Sequence, residues 1–244
     1  MADLLSSVAA GLADLVLPGA CASCGGAGSS RGVCQGCVAV LAGLVPHPTR
    51  PRPAPAGLPR CAALGEYHGV LRELILAYKD RGRHALARPL GRLLAPVVAS
   101  LLPAGAAGSP APRVVLVPVP DTPAAARARH GDHLWRLARP AAARLREAGL
   151  PVRLARPLRA RPRPDSAQLD HAERAMAAGS SLRSRPWRAS SLRRQLAARP
   201  AQVVLLDDVV TTGATLATAA AKLAAAGIPV AGAAVLAATR RRGA

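Results

Sequence analysis

The chain has 244 residues, 33 of them Lys or Arg against 13 Asp or Glu, for a formal net charge of +20. That length is enough to bury the core of one α/β domain with a small appendage, and no apolar run in it reaches the length of a bilayer span. Aromatic residues are 2% of the chain and Phe is absent, which argues against a platform that stacks single-stranded bases on rings.

The charge has two readings. It suits an acidic partner, but only Lys79 and Lys222 are lysines, and an excess of Ala, Arg, Pro and Gly also fits a GC-rich coding bias. Net charge speaks to non-specific association and not to fold.

Residues 1–20 are apolar yet carry Asp3 and Asp14 and lack a basic start. Leu4, Leu5, Val8, Leu12, Leu15 and Val16 recur on one helical face, which predicts a short amphipathic helix docked on the protein, with a cleaved signal peptide as the other reading. The chain is expected in the cytoplasm. Cys21-Ala-Ser-Cys24 and Cys34-Gln-Gly-Cys37 follow. Paired knuckles of this spacing suit four thiolates around one tetrahedral zinc, a closed set and hence a structural metal. Redox or disulfide chemistry is the alternative, and a cytoplasmic location argues against stable disulfides. Cys61 reads as a small buried residue opening a strand.

Pro46, Pro48, Pro51, Pro53, Pro55 and Pro59 predict an extended linker at 46–60, between a helix and knuckle at 1–45 and a main domain at 61–244. Within that domain the pattern predicts a strand at 61–67 and an amphipathic helix at 70–79 with Leu71, Leu74, Ile75 and Tyr78 on one side. A loop at 103–112 leads to a buried strand at 114–117, which Pro118 and Pro120 end because they lack a donor N–H. Thr122 to His133 contains Arg127, Arg129 and Gly131 and suits a mobile basic flap of the kind that excludes water from a transferase site. His130 and His133 read as surface bystanders of that flap more readily than as an acid or base. A helix at 134–148, a strand at 152–158, a polar arginine-rich surface connection at 180–200, a strand at 230–237 and a basic tail, Arg240 to Arg242, complete the pattern.

The most informative stretch is VVLLDDVVTTGAT at 203–215. Residues 203–206 predict a buried strand that carries Asp207 and Asp208 to its C-terminal end, where open α/β sheets bind ligands. Thr211, Thr212 and Gly213 then form a turn into a helix at 214–226, stopped by Gly227 and Pro229. Backbone N–H groups at a helix start, a glycine that allows close approach, and the hydroxyls of Thr211, Thr212 and Thr215 make a phosphate cradle. The adjacent carboxylates suit hydroxyls or a metal ion, so a ribose 5-phosphate fits the whole. Two acids at a buried strand end have no packing role. The acidic strand of a P-loop ATPase would need a Gly-Lys pair, and the chain has none.

This run resembles the phosphoribosyl-pyrophosphate (PRPP) motif of type I phosphoribosyltransferases. With the VPVPD loop, the flap, the EYHGVLRELILAYKDRG segment and the cysteine knuckle, the chain resembles their ComF-like branch, which is associated with competence and DNA uptake. The resemblance implies an α/β fold, a mostly parallel sheet flanked by helices with a small N-terminal four-cysteine zinc knuckle. It also implies transfer of a phosphoribosyl group from Mg²⁺-bound PRPP to a nitrogen acceptor, with release of pyrophosphate. On that basis Thr211, Thr212, Gly213, Ala214 and Thr215 hold the 5-phosphate, and Asp207 and Asp208 the ribose. Val117, Pro118, Val119, Pro120 and Asp121, with Mg²⁺, meet the pyrophosphate, which Arg127 and Arg129 neutralise. Lys79, with Arg81, is a phosphate contact by the same resemblance. Two departures stand out. His130 is inserted between Arg129 and Gly131 where the family reads R-x-R-G, and the stretch at 165–175 lacks the asparagine that follows its arginine in the family. The alternative is a non-catalytic protein that keeps the PRPP site and binds single-stranded DNA or the DNA-uptake machinery. A PRPP-sensing regulator ranks last, because nothing resembles a helix-turn-helix. The acceptor is unnamed, its hood being expected within 1–67.

Overall fold

A computed structural model describes residues 19–27, 32–103, 110–161 and 181–239. The amphipathic helix read near the start, most of the 103–112 loop, the 165–175 stretch and the basic tail lie outside the described residues. The chain forms two compact units, one combining the segment up to Leu44 with His68–Leu86, the other combining Val45–Tyr67 with everything from Ala87 onward. This cuts the chain differently from the three-part division read from the prolines.

Among the described residues the first unit holds the cysteine knuckles and two helices, α1 (Gln35–Ala42) and α2 (Gly69–Asp80), then a 3₁₀ turn at His84–Leu86. In α2 the apolar stripe is buried as its spacing requires, with Leu71, Leu74, Ile75, Ala77 and Tyr78 inside.

The second unit is built on six strands, β1 (His47–Thr49), β2 (Cys61–Glu66), β3 (Val114–Pro118), β4 (Val152–Leu154), β7 (Gln202–Val210) and β8 (Gly232–Ala238). Their order is β1-β2-β8-β7-β3-β4. All neighbours are parallel except β1, which runs antiparallel to β2. Every residue of β3 and β8 is buried, the continuous apolar run expected of strands covered on both faces. The cover comes from α3 (Ala87–Leu101), α5 (His133–Glu147), α6 (Pro186–Ala198) and α7 (Ala214–Ala224), with a short α4 (Pro123–Ala128) preceding α5. Helices α3 and α5 approach so closely that a Cβ on Gly91 would lie 2.3 Å from Pro140 Cγ and 2.4 Å from the Leu137 carbonyl oxygen. The result is an α/β fold with a mostly parallel sheet flanked by helices, and among the described residues no helix is long and apolar enough to cross a membrane.

Three segments depart from the sequence expectation. The proline-rich stretch supplies β1, with His47 opposite Ala63 and Thr49 opposite Cys61, because an edge strand needs ladder bonds on one side only and tolerates Pro48. The strand expected at 152–158 breaks before Pro157, and its second part becomes β5 (Leu158–Ala160), which pairs with β6 (Leu182–Ser184) in a separate antiparallel ribbon. The supposed surface connection at 180–200 contains β6 and α6. Pro186 stands in the first turn of α6, where its missing N–H is harmless, and good helix formers follow, with Ala189 and Leu192 buried.

Candidate functional site

At the C-terminal end of the middle strands the two ladders end at different points. The β3–β7 ladder ends at Pro118 opposite Leu206, with one further bond from Val119 N to Leu206 O at 3.0 Å. The β7–β8 ladder continues to Val210 opposite Ala238. Pro118 and Pro120 withhold the donors that would extend β3, so the last residues of β7 have a strand on one side only. Asp207 and Asp208 therefore sit inside a strand that runs on to Val210, not beyond one that stops at Leu206. Successive residues of an extended strand leave on opposite faces. Asp208 is 4% exposed, whereas Asp207 is half-buried and accepts a bond from Asp208 N at 2.9 Å.

His133 is no surface bystander. It is 5% exposed and joins the two strand ends. Its Nε2 lies 2.8 Å from Asp208 Oδ2, its Nδ1 meets Asp121 Oδ2, and its backbone N donates to the same oxygen at 3.1 Å. Asp121 also accepts from Arg129 Nη1 at 3.3 Å. With a carboxylate at each ring nitrogen, the doubly protonated imidazolium can donate to both. Burial alone would lower its pKa, but the bonds to Asp121 and Asp208 and their charges outweigh burial and raise it to about 9. Asp132 sets this up by capping α5, its Oδ1 accepting from Trp135 N at 2.9 Å. A sequence signal was available, since His133 falls on the buried stripe of Leu134, Leu137, Ala138, Ala141, Ala142 and Leu145.

The segment expected to form a flap folds into helix and turn. Thr122 caps α4 by accepting from Ala125 N at 3.2 Å, Arg127 is exposed on it, and Arg129 follows at its C-terminus. The inserted His130 takes a left-handed conformation, φ 53°, ahead of Gly131. Lys79 lies in the last turn of α2, in the other unit, where Arg81 Nη2 pairs with Glu73 Oε2 at 2.9 Å.

Thr211, Thr212 and Gly213 form the turn into α7. Thr211 is exposed, Ala214 and Thr215 are half-buried, and Thr212 Oγ1 accepts from Ala214 N at 3.3 Å. Gly213 has φ 76°, and a Cβ there would meet Leu58 at 3.0 Å and Pro51 Cγ at 3.2 Å, so the proline-rich segment lies against the turn. Gly213→Ala is expected to cost about 1–2 kcal/mol from the left-handed backbone alone, read as a lower urea midpoint at unchanged m-value.

In the first unit, the ligand atoms of Cys21, Cys24, Cys34 and Cys37 all lie within 4.8 Å of one another. Cys24 Sγ and Cys34 Sγ are 3.6 Å apart, too far for a disulfide and near the sulfur separation of a tetrahedral zinc thiolate, about 3.8 Å for Zn–S bonds of ~2.3 Å. Burial raises the Cys21 pKa, but the backbone N–H groups of Cys24, Cys34 and Ser23 outweigh it and bring the thiol down to about 6. Cys37 is pushed up to about 12, by burial first and then by the neighbouring thiols. A preformed N–H cage around sulfur fits a thiolate cluster on a dication. Among the described residues these four are the only group of three or more His, Cys, Asp or Glu placed to hold a metal ion.

A cavity of about 560 Å³ lies at the opposite end of the sheet, between Val114, Val152 and the α6 residues Leu192 and Leu196, and none of the predicted ligand residues lines it. Comparison of the sequence with known protein families and with curated proteins finds no match.

Proposed function

We propose that the chain is a ComF-like phosphoribosyltransferase of the type I fold, which binds PRPP with Mg²⁺ and transfers the phosphoribosyl group to a nitrogen acceptor. The supporting observation is adjacency: β3 and β7 are neighbours in register, so the VPVPD loop and the DDVVTTGAT run end side by side and one ligand can touch both. In this reading the turn at Thr211 to Thr215 receives the 5-phosphate on backbone N–H groups and hydroxyls. Asp207 accepts from ribose hydroxyls, and Asp208, buried against His133, holds the strand end behind it. The loop from Val117 to Asp121, with Arg127 and Arg129, faces the leaving pyrophosphate. Mg²⁺ bound with the substrate would supply charge neutralisation. The protein then contributes positioning and fixed charge, with no nucleophilic side chain.

Asp207→Asn is expected to reduce Mg²⁺-dependent PRPP binding by at least tenfold, the loss of one charged hydrogen-bond acceptor, and Asp207→Asn with Asp208→Asn to abolish it. Calorimetry that finds the single variant equal to the wild type sinks the assignment. The single variant is the cleaner one, because Asp208 also binds His133.

One observation favours a second reading, a non-catalytic protein that binds single-stranded DNA. Trp187 is 69% exposed and Arg188 sits over its ring, 4.9 Å from the centroid, a pairing that stacks bases and meets phosphates. Such binding weakens steeply with salt through counterion release, whereas a pocket for one small ligand responds less.

A further inference from the structure

The β5–β6 ribbon concentrates one sign of charge. In its register Arg159 stands directly opposite Arg183, an arrangement that destabilises a ribbon when nothing offsets it. Arg185 comes next, at the N-cap of α6, and its backbone N donates to Pro157 O at 2.7 Å, which brings it alongside Arg156. Arg156 sits over the Trp135 ring, 3.9 Å from the centroid, and its Nη2 meets Asp132 Oδ2 at 3.1 Å.

Two of these arginines are left incomplete. The Nε atoms of Arg156 and Arg185 are both buried and have no hydrogen-bond partner among the described residues, and an unmade bond on a buried cationic donor is costly. Helix α6 has no side-chain cap and no acid in its first turn, so its positive end adds to the same field. Burial first, and then the charges of Arg188, Arg156 and Arg159, hold the Arg185 guanidinium below its ordinary pKa, with Asp132 acting in the opposite direction. Among the described residues the cluster has unused buried donors and Asp132 as its carboxylate partner, and an added oxyanion would complete it, since the guanidinium fork is the matching donor.

We propose that Arg156, Arg159 and Arg185 form a second anion site, built from different residues than the Gly213 turn, which takes a multiply charged small-molecule oxyanion such as a phosphate monoester. Asp132, the partner of Arg156, is followed directly by His133, which links the cluster to the tip of β7. The inference does not depend on PRPP being the ligand there.

The test uses the full chain and inorganic phosphate, followed by calorimetry and by thermal melts with and without phosphate. Arg156→Gln and Arg185→Gln are each expected to weaken phosphate binding about tenfold, the effect of removing one charged hydrogen bond. Arg185→Lys is expected to weaken it too, because an ammonium cannot replace the fixed Nε donor. In phosphate-free buffer Arg185→Gln should melt no lower than the wild type, since it relieves repulsion and an unpaired donor, while phosphate should raise the wild-type melt more than that of the variant. Equal phosphate affinity in the wild type and all three variants overturns the proposal, as does a wild type that binds none. Loss of a short oligonucleotide in Arg185→Gln with phosphate binding unchanged overturns it in favour of a nucleic-acid surface. Loss of PRPP binding in Asp207→Asn leaves this site untouched, so the two readings fail separately.

Discussion

Replacing His133 with Ala is expected to destabilise the sheet-based unit by about 3–5 kcal/mol, the cost of removing one member of a buried charged network. The substitution takes away the donor that Asp208 Oδ2 meets at 2.8 Å and the ring bond to Asp121, so two carboxylates inside the fold lose the imidazolium between them, Asp121 keeping its ion pair with Arg129 at 3.3 Å. At roughly 2–4 °C per kcal/mol for a chain of this size, the melting temperature should fall by about 10 °C. The pH dependence separates charge from packing. The folded-state pKa of His133, about 9, lies above its ordinary 6.5. Its contribution is therefore full below pH 6.5, declines as the pH rises through the window between those values, and is gone above about 9. Over that window the wild type should lose about 3 kcal/mol of stability, measured by urea titration at several pH values. His133→Gln can still hydrogen-bond but cannot titrate, and its stability should be flat across the same range. A wild type equally stable at pH 6.5 and pH 9 would show that the imidazole is neutral and the network uncharged.

The second large effect concerns the four cysteines. The chain should carry one zinc, and structural zinc in small modules contributes on the order of 10–16 kcal/mol of folding free energy at neutral pH. Because α1 begins next to Cys34 and Cys37 lies within it, a metal held by the four thiolates would fix the start of that helix as well as the knuckle. Cys37→Ser, or a strong chelator, is expected to release the zinc and to erase hydrogen-exchange protection in α1 and its surroundings. The sheet of the other unit should keep its protection. Metal analysis tests the stoichiometry, and cobalt substitution, which gives thiolate-to-metal absorption only with sulfur ligands, tests the donor set. A chain that purifies without zinc and keeps its exchange pattern under chelator would refute the metal centre.

These two networks are not equally legible. The knuckle can be read because its chemistry is local: two C-x-x-C turns each bring a sulfur pair together without help from distant residues. The strands β3 and β7 can be read for a similar reason, since a run buried on both faces needs only its own apolar residues to declare itself. Helix α2 announces its inner face through spacing alone. By contrast α6 is hidden, because its arginines obscure the apolar periodicity that marks a packed helix, and only Ala189 and Leu192 go inside. The proline-rich stretch looks like a linker since proline weakens any strand reading. What makes Pro48 acceptable is the edge position of β1, a property of the sheet order and not of the segment.

The candidate site divides in the same way. Its chain order, a strand, two acids, a hydroxyl-and-glycine turn and a helix start, is contiguous and written in residues 203–215. Nothing along the chain reveals the company that order keeps. His133 lies 75 residues from Asp208 and 12 from Asp121, and it reaches both only because β3 and β7 are neighbours and α5 begins at their tips. In sequence the arginines of the ribbon read as surface charge, and it takes the register of Arg159 on Arg183 and the bond from Arg185 to Pro157 to show them crowded. The amino-acid order alone settles which segments bury their faces and which local turns gather sulfur or offer a phosphate cradle, because those properties depend on neighbours along the chain. Which charges meet is settled by the packed fold, since a buried ion pair depends on distance in space, and the sheet order brings together residues that the chain keeps apart.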